Sequence, residues 1–281
     1  MDPVNTGKGL DRVIAEALFD SSLHLPHIVL SSSPEDLYYH GTANAKVTAD
    51  FTKPLSVPPP TLVSPSSLLH ITDHNEEPAY DGAVNTGGMV YGSAVHEALS
   101  SIIRRHATMP AEFVSAEIVR VLSMHDLDRN VALDAVLEIL ALLKHPLIER
   151  YSEQLASSRI ETMLVGALHG VVFQGILDVR MHTTESTIEV WDWKTNRVAS
   201  QEHLESVAAT YTIQMCTYAW LCLRAYPAYS TVVTRLVFTK AAGKGLTTID
   251  YSRTWQRAEM ELMEATMMQA VSAHQRGVVA T

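Results

Sequence analysis

The sequence predicts an α/β fold: a β-sheet entered from a block of helices and crossed over by a further helix. Two observations predict it. Between residues 91 and 156 apolar residues recur at helical spacing, and from residue 159 the pattern shortens into runs of β-formers joined by loops of Gly, Ser and Thr. A long helical stretch then crosses over to further strand-like runs.

In chain order, residues 1–60 form a lead-in. Within it, 10–19 carry a short amphipathic pattern (Leu10, Val13, Ile14, Ala17, Leu18), and HIVL at 27–30 is a strand-like run that Ser31 to Pro34 breaks. Five prolines between 54 and 65 exclude regular structure there, so the stretch reads as an extended linker or strap before the main domain, 61–281. Residues 81–89 read as a loop. Helices are predicted near 91–106, 111–124, 129–144 and, opened by Pro146, on to Leu155; Val95, Leu99, Ile102 and Ile103 mark the first stripe. Strands are predicted at 159–166, 171–182 and 187–195, the last two joined by a hairpin turn at TTES. A helix from His203 to Tyr226 stops at Pro227. Strands at 230–240 and 246–251 close a sheet core spanning about 159–251, and a helix over 254–275 ends the domain.

Composition bounds the function. With 281 residues, 47% hydrophobic and 19% charged, the chain can bury a real core. A formal charge of −10 argues against binding nucleic acid by bulk positive charge, but not against an acidic site that reaches phosphate through a cation. The two cysteines, Cys216 and Cys222, fall on one predicted helix roughly 9 Å apart, too far for a disulfide and too few for a four-thiolate cluster. A reducing cytoplasm fits them best. No apolar signal core or membrane-length run is present, so a soluble, cytoplasmic protein is expected.

Asp192-Trp193-Lys194 is the sharpest local feature. In a strand, alternate residues share a face, so a carboxylate and an ammonium are presented side by side. A hairpin joining 171–182 to 187–195 brings Asp178 next to Asp192. Two convergent carboxylates suit a hard cation such as Mg²⁺, which takes substrate phosphate oxygens as further ligands. Lys194 would then hold the attacking water or offset charge in the transition state. The surrounding residues, Val190, Trp191, Trp193 and the run FQGIL before Asp178, are apolar enough that these charges need partners or a metal.

These residues resemble a known family. GILDVR at 175–180 followed by VWDWKTN at 190–196 is similar to the paired motifs of the PD-(D/E)xK nucleases, specifically the RecB and AddA branch. Gly92-Ser93-Ala94-Val95-His96 resembles the Gly-x-x-x-His helix motif, Glu161 an acidic residue of the first core strand, and Gln214-x-x-x-Tyr218 the Gln-x-x-x-Tyr motif after the active strand. SPSSL at 64–68 is similar to the Ser-rich run that precedes the His helix. The resemblance covers about residues 61–275.

It implies a restriction-endonuclease-like fold, a mixed β-sheet core flanked by helices with an N-terminal helical insertion or subdomain, that cleaves DNA with Mg²⁺ or Mn²⁺. It further implies His96, Asp178, Asp192 and the backbone carbonyl of Trp193 as metal ligands, Lys194 as the catalytic lysine, and Glu161, Gln214 and Tyr218 as supporting or DNA-binding residues. Many relatives continue the His helix as Leu-Glu, whereas Ser100 follows Leu99 here. No Cys follows Cys222, so no iron–sulfur cluster is expected, which favours the AddA-like or RecB-like type. The expected function is that of an exonuclease domain of a helicase–nuclease in DNA end processing and recombinational repair. A helicase domain or subunit would be the partner that supplies the basic track for DNA.

The alternatives are a catalytically silent nuclease-like module that binds DNA or braces a complex, and a stand-alone exonuclease of phage or CRISPR-associated type. A structural domain with surface ion pairs is the third. His70-x-x-x-His74 lacks the Glu of a zinc-protease motif, and GKG at 7–9 and 243–245 is not a phosphate loop. Lys240 and Lys244 are expected to flank a strand turn. Met260, Met263, Met267 and Met268 read as core or interface on the closing helix.

Overall fold

The computed structural model describes residues 61–71 and 86–279. The patterns at 10–19 and 27–30, the prolines up to Pro60, His74 and the first part of the 81–89 loop lie outside the described residues.

The chain enters through β1 (Thr61–Val63) and a 3₁₀ helix (Pro65–Ile71). A helical block follows: α1 (Thr86–Ile102), α2 (Ala111–Leu122), α3 (Arg129–Leu143), α4 (Pro146–Arg150) and α5 (Ser152–Ala156). Pro110 precedes α2, the Asp128 side chain caps α3 through the Asn130 amide, and Pro146 opens α4 as predicted. The expected fourth helix is thus two short ones, divided at Tyr151.

Then come β2 (Arg159–Leu168), β3 (Val171–Thr184) and β4 (Thr187–Lys194). His169 and Gly170 both have positive φ, 48° and 79°, and form the two-residue turn that joins β2 to β3. β4 runs through the middle of the sheet, and every residue from Ile188 to Trp193 is buried, as expected of a strand covered on both faces. Next come α6 (Gln201–Thr210), α7 (Thr212–Ala225), β5 (Thr231–Phe238), α8 (Thr239–Gly243), β6 (Asp250–Gln256) and α9 (Met260–Val279).

Among the described residues the sheet has six strands in the order β1-β3-β4-β5-β6, with β2 also on β3. β4 and β5 are parallel, linked by the crossover through α6 and α7, and β3–β4 and β5–β6 are antiparallel. The result is a mixed sheet flanked by helices, a restriction-endonuclease-like arrangement. β3 has two differently used edges. β2 follows one from Val171 to Arg180, while on the other β1 pairs with Val171–Phe173 and β4 takes over only from Val179. Gln174 to Asp178 lie at the fork between β1 and β4.

Several boundaries differ from expectation: residues 86–89, expected within a loop, open α1, and the strand expected at 246–251 begins only at Asp250. Thr61–Val63, inside the proline-rich stretch, is a strand, because Pro60 precedes it and leaves its amides free to pair with β3. The helix expected over 203–226 breaks at Tyr211, where the hydroxyls of Thr210 and Thr212 bond back to the Val207 and Ala209 carbonyls. Residues 254–256, expected to start the closing helix, end β6 instead: Trp255 is buried, and its indole donates to Thr234 Oγ1 at 2.8 Å. The helical turn begins only after Gln256, where Gln256 and Glu259 form a capping box. Lys240 and Lys244 lie on and just after the helical turn α8 rather than a strand turn. Met263 and Met267 are core residues of α9, as expected.

α7 lies over the sheet and fixes the site. Trp220 sits so close to Gly166 that an added Cβ would be 2.6 Å from its ring, and at Gly175 one would be 2.9 Å from the Tyr218 ring. Gly166→Ala is therefore expected to lower stability by about 1–3 kcal/mol through overpacking, read as a lower urea midpoint at unchanged m-value.

Candidate active site

The strand fork builds the site. Past the pair Val179–Trp191 the ladder between β3 and β4 stops, and the Asp178 carboxylate takes the place of a backbone acceptor: Trp193 N–H donates to Asp178 Oδ2 at 2.8 Å. Asp178 is thereby held beside Asp192. His96, projecting from α1, places Nδ1 3.3 Å from the same Asp178 oxygen. Burial works against a charged imidazole, but the hydrogen bond and charge of Asp178, with the charge of Asp192, outweigh it and hold the His96 pKa above its ordinary value.

Asp192 and Lys194 point to the same face of β4, and the Lys194 ammonium lies against Asp192 Oδ2. Both side chains are largely buried. Burial pushes the Asp192 carboxyl up, opposed by the adjacent ammonium. Burial also disfavours the Lys194 ammonium, but Asp192, Tyr211 and Asp178 outweigh it, so Lys194 is held in its protonated form.

α7 then orients the lysine. Lys194 Nζ donates to Gln214 Oε1 at 2.9 Å, and Gln214 Nε2 donates to Tyr218 Oη at 3.0 Å. An ammonium only donates, so it fixes which way the buried Gln214 amide faces. The helix break at Tyr211 adds a wall: its ring centroid is 4.2 Å from Lys194 Nζ, and its hydroxyl donates to Asn196 Oδ1 at 2.9 Å.

The structure therefore brings together His96, Asp178, Asp192, Trp193, Lys194, Gln214 and Tyr218. Of Trp193 the amide makes the visible contact. Glu161 lies at the margin, exposed, with φ of 51°, a left-handed backbone that costs a non-glycine residue on the order of 1–2 kcal/mol. It sits across from Asp178, between the pairs Ile160–Val179 and Thr162–Leu177, and its carboxylate accepts from Ser100 Oγ at 2.9 Å. Ser100 of α1 thus tethers an acid of β2. Residue patterns did not single out Tyr91, Glu138, Asn196 or Thr239, which surround the end of β4; Asn196 lies within the quoted WDWKTN run, but nothing there marks its role.

The donors also bear on metal binding. Among the described residues no three His, Cys, Asp or Glu side chains are set to enclose an ion by themselves. Asp192 Oδ2 is buried with the Lys194 ammonium as its partner, and it and the Asp178 carboxylate are hard oxygen donors. That set fits Mg²⁺, which keeps several waters and needs only one or two carboxylates plus substrate phosphate.

The family model described as the PD-(D/E)XK nuclease superfamily matches residues 71–278. The chain belongs to that superfamily. In this PD-(D/E)XK chain Asp178 on β3 and Asp192-x-Lys194 on β4 converge from adjacent antiparallel strands. Among solved structures, that of a protein named "Putative exonuclease" from Eubacterium rectale is 11% identical, covering 75% of this chain and 80% of its own, with a TM-score of 0.41. That of SSO0001 is 15% identical, covering 70% and 88%, with a TM-score of 0.29. No curated protein matches the chain. Among the described residues no helix is long and apolar enough to cross a membrane.

Proposed function

We propose that this chain is a Mg²⁺-dependent DNA exonuclease, the nuclease part of a RecB/AddA-type helicase–nuclease acting on DNA ends in recombinational repair. The observation that carries the reading is the meeting of Asp178, Asp192 and Lys194 at the β3–β4 fork. Asp178 and Asp192 would hold the ion, with His96 and the Trp193 carbonyl as further donors. When bound, it would polarise a phosphoryl oxygen and lower the pKa of a water. Lys194, held protonated by Asp192 and aimed by Gln214, would place its charge where the phosphorane oxygens gain negative charge.

Two features support a DNA strand as substrate. Beyond the carboxyl ends of parallel β4 and β5, where α/β sheets bind ligands, Lys244 Nζ donates to the Val198 carbonyl at 3.0 Å, and Lys240 lies within the electrostatic reach of Arg197 and Lys244. In a chain of net charge −10 these cations give phosphates a place to land. On the other side of the fork an open groove of about 510 Å³, lined by Leu62, Ser64, Ser67, Gln174, Ile176 and Tyr218, reaches the residue that braces Gln214.

The test is digestion of linear and closed circular DNA with Mg²⁺ or Mn²⁺, alone and with an ATP-driven helicase. Linear DNA is expected to be degraded and circles spared, and Asp178→Asn is expected to abolish both degradation and Mn²⁺ binding by calorimetry. Inert wild-type protein that still binds DNA would leave a silent module in its place. For the tethered picture, the salt dependence of DNA binding should be shallow, below about six phosphate contacts, and Arg197→Gln with Lys244→Gln should lower the slope by roughly 1–2.

A further inference from the structure

Glu138 is a buried titratable group that the cleavage chemistry leaves unused. It projects from α3, 6% exposed, into the place where α1, α8 and the end of β4 meet. Tyr91 Oη donates to its Oε2 at 2.5 Å, and Thr239 Oγ1 is hydrogen-bonded to its Oε1. The same threonine hydroxyl lies 3.2 Å from the carbonyl oxygen of Lys194. Thr239 follows Phe238, the partner of Lys194 in the last β4–β5 pair, so this hydroxyl carries the ladder one bond past the end of the sheet.

A threonine hydroxyl has a single proton. Given to Glu138, it leaves the Lys194 carbonyl without it. Given to that carbonyl, it sets oxygen lone pairs of Thr239 against those of Glu138 Oε1, unless the carboxyl itself bears a proton. A neutral Glu138 closes all three bonds: Tyr91 to Oε2, the acid proton to Thr239, and Thr239 to the Lys194 carbonyl.

The surroundings agree. Burial raises the Glu138 carboxyl above its ordinary pKa and the charge of Asp134 adds to this, against the hydrogen bonds of Thr239 and Tyr91 and the charge of Lys240. Lys240 rests its ammonium on the Tyr91 ring, 4.2 Å from the centroid, and acts on Glu138 through space. Arg197, through Tyr91 and Lys240, and Lys244, through Lys240, also reach this cluster.

We propose that Glu138 is a positioning residue, kept as a neutral acid, that fixes the end of β4 and with it Lys194 through the Thr239 hydroxyl. Only the kinetic consequence rests on the nuclease reading. The proton and the clamp do not.

The experiment has an arm that needs no activity. Difference infrared spectroscopy of the full chain should show a protonated-carboxyl stretch at neutral pH that Glu138→Gln removes. Amide exchange at Trp193–Thr195 should speed up in Thr239→Val and return to wild type in Thr239→Ser. In the kinetic arm, Thr239→Val should lose about tenfold in kcat, the worth of one hydrogen bond, at unchanged KM, with Thr239→Ser restoring it.

A carboxamide mimics the neutral acid, so Glu138→Gln should cleave at the wild-type rate. Because the folded carboxyl is raised, its contribution to stability is full below its ordinary pKa and is lost as pH climbs through the raised value; the Gln variant should be flat there. Absence of the infrared band, or equal loss in Glu138→Gln and Glu138→Ala, would overturn the proposal. A wild type that shows the band and the exchange effect but cuts no DNA would sink the nuclease reading and leave the clamp standing.

Discussion

Lys194→Met is expected to slow strand cleavage by about 10²–10³-fold in kcat while leaving DNA affinity nearly unchanged. Lys194 is largely buried between Asp192 and Gln214, against the ring of Tyr211, so little of its charge is exposed for ground-state contact with DNA. Its loss therefore falls on the transition state and not on the ground state. Lys194→Arg should fail to rescue. The planar guanidinium cannot offer a compact charge in a space walled by Asp192, Gln214 and Tyr211. Single-turnover cleavage of a labelled oligonucleotide, with affinity measured by anisotropy in Ca²⁺, separates the two quantities. A Met variant with weakened binding and unchanged chemistry would assign Lys194 to the DNA contact instead.

The largest expected effect on stability lies on the opposite face of β4. Arg235 on β5 donates through Nε to Glu189 Oε1 at 2.7 Å and through Nη2 to Tyr151 Oη at 2.9 Å, and pairs with Asp250 on β6. Glu189 is only 3% exposed, and it also accepts from the Trp191 indole at 2.8 Å and is hydrogen-bonded to the Tyr151 hydroxyl. Arg235→Leu leaves that carboxylate buried without its cation and should cost about 3–5 kcal/mol. For a chain of this size the thermal midpoint should drop by on the order of 10 °C. Combining it with Glu189→Leu should recover part of the loss, since both charges are then gone. Calorimetric scans of the single and double variants decide the matter; a single variant that melts within a degree or two of wild type would show that water reaches the pair.

What the sequence disclosed follows from where each signal resides. Asp192-x-Lys194 and Gln214-x-x-x-Tyr218 are set by the strand and helix periods, so their sharing of a face could be read directly. Asp178 needed one hairpin, and TTES announced it. Glu138 was opaque because its partners Tyr91 and Thr239 are 47 and 101 residues away. In the pattern of α3 it is one more polar residue among leucines. β1 was hidden by its prolines, and the far end of β6 by the short alternation of Tyr251, Arg253 and Trp255, which runs straight into a helical pattern. Strand pairing over such distances leaves no local mark.

β1 carries one more consequence. It holds to the sheet by three pairs and closes a loop of roughly 110 residues on β3, whereas each other strand is zipped along most of its length. Such an element belongs to the least protected part of a fold and is the first to detach in sub-global opening. Leu62 and Ser64 travel with it, and both line the groove beside the fork. Fraying of a three-residue strand would therefore change the width of that groove without disturbing the ladder that holds Asp192 and Lys194.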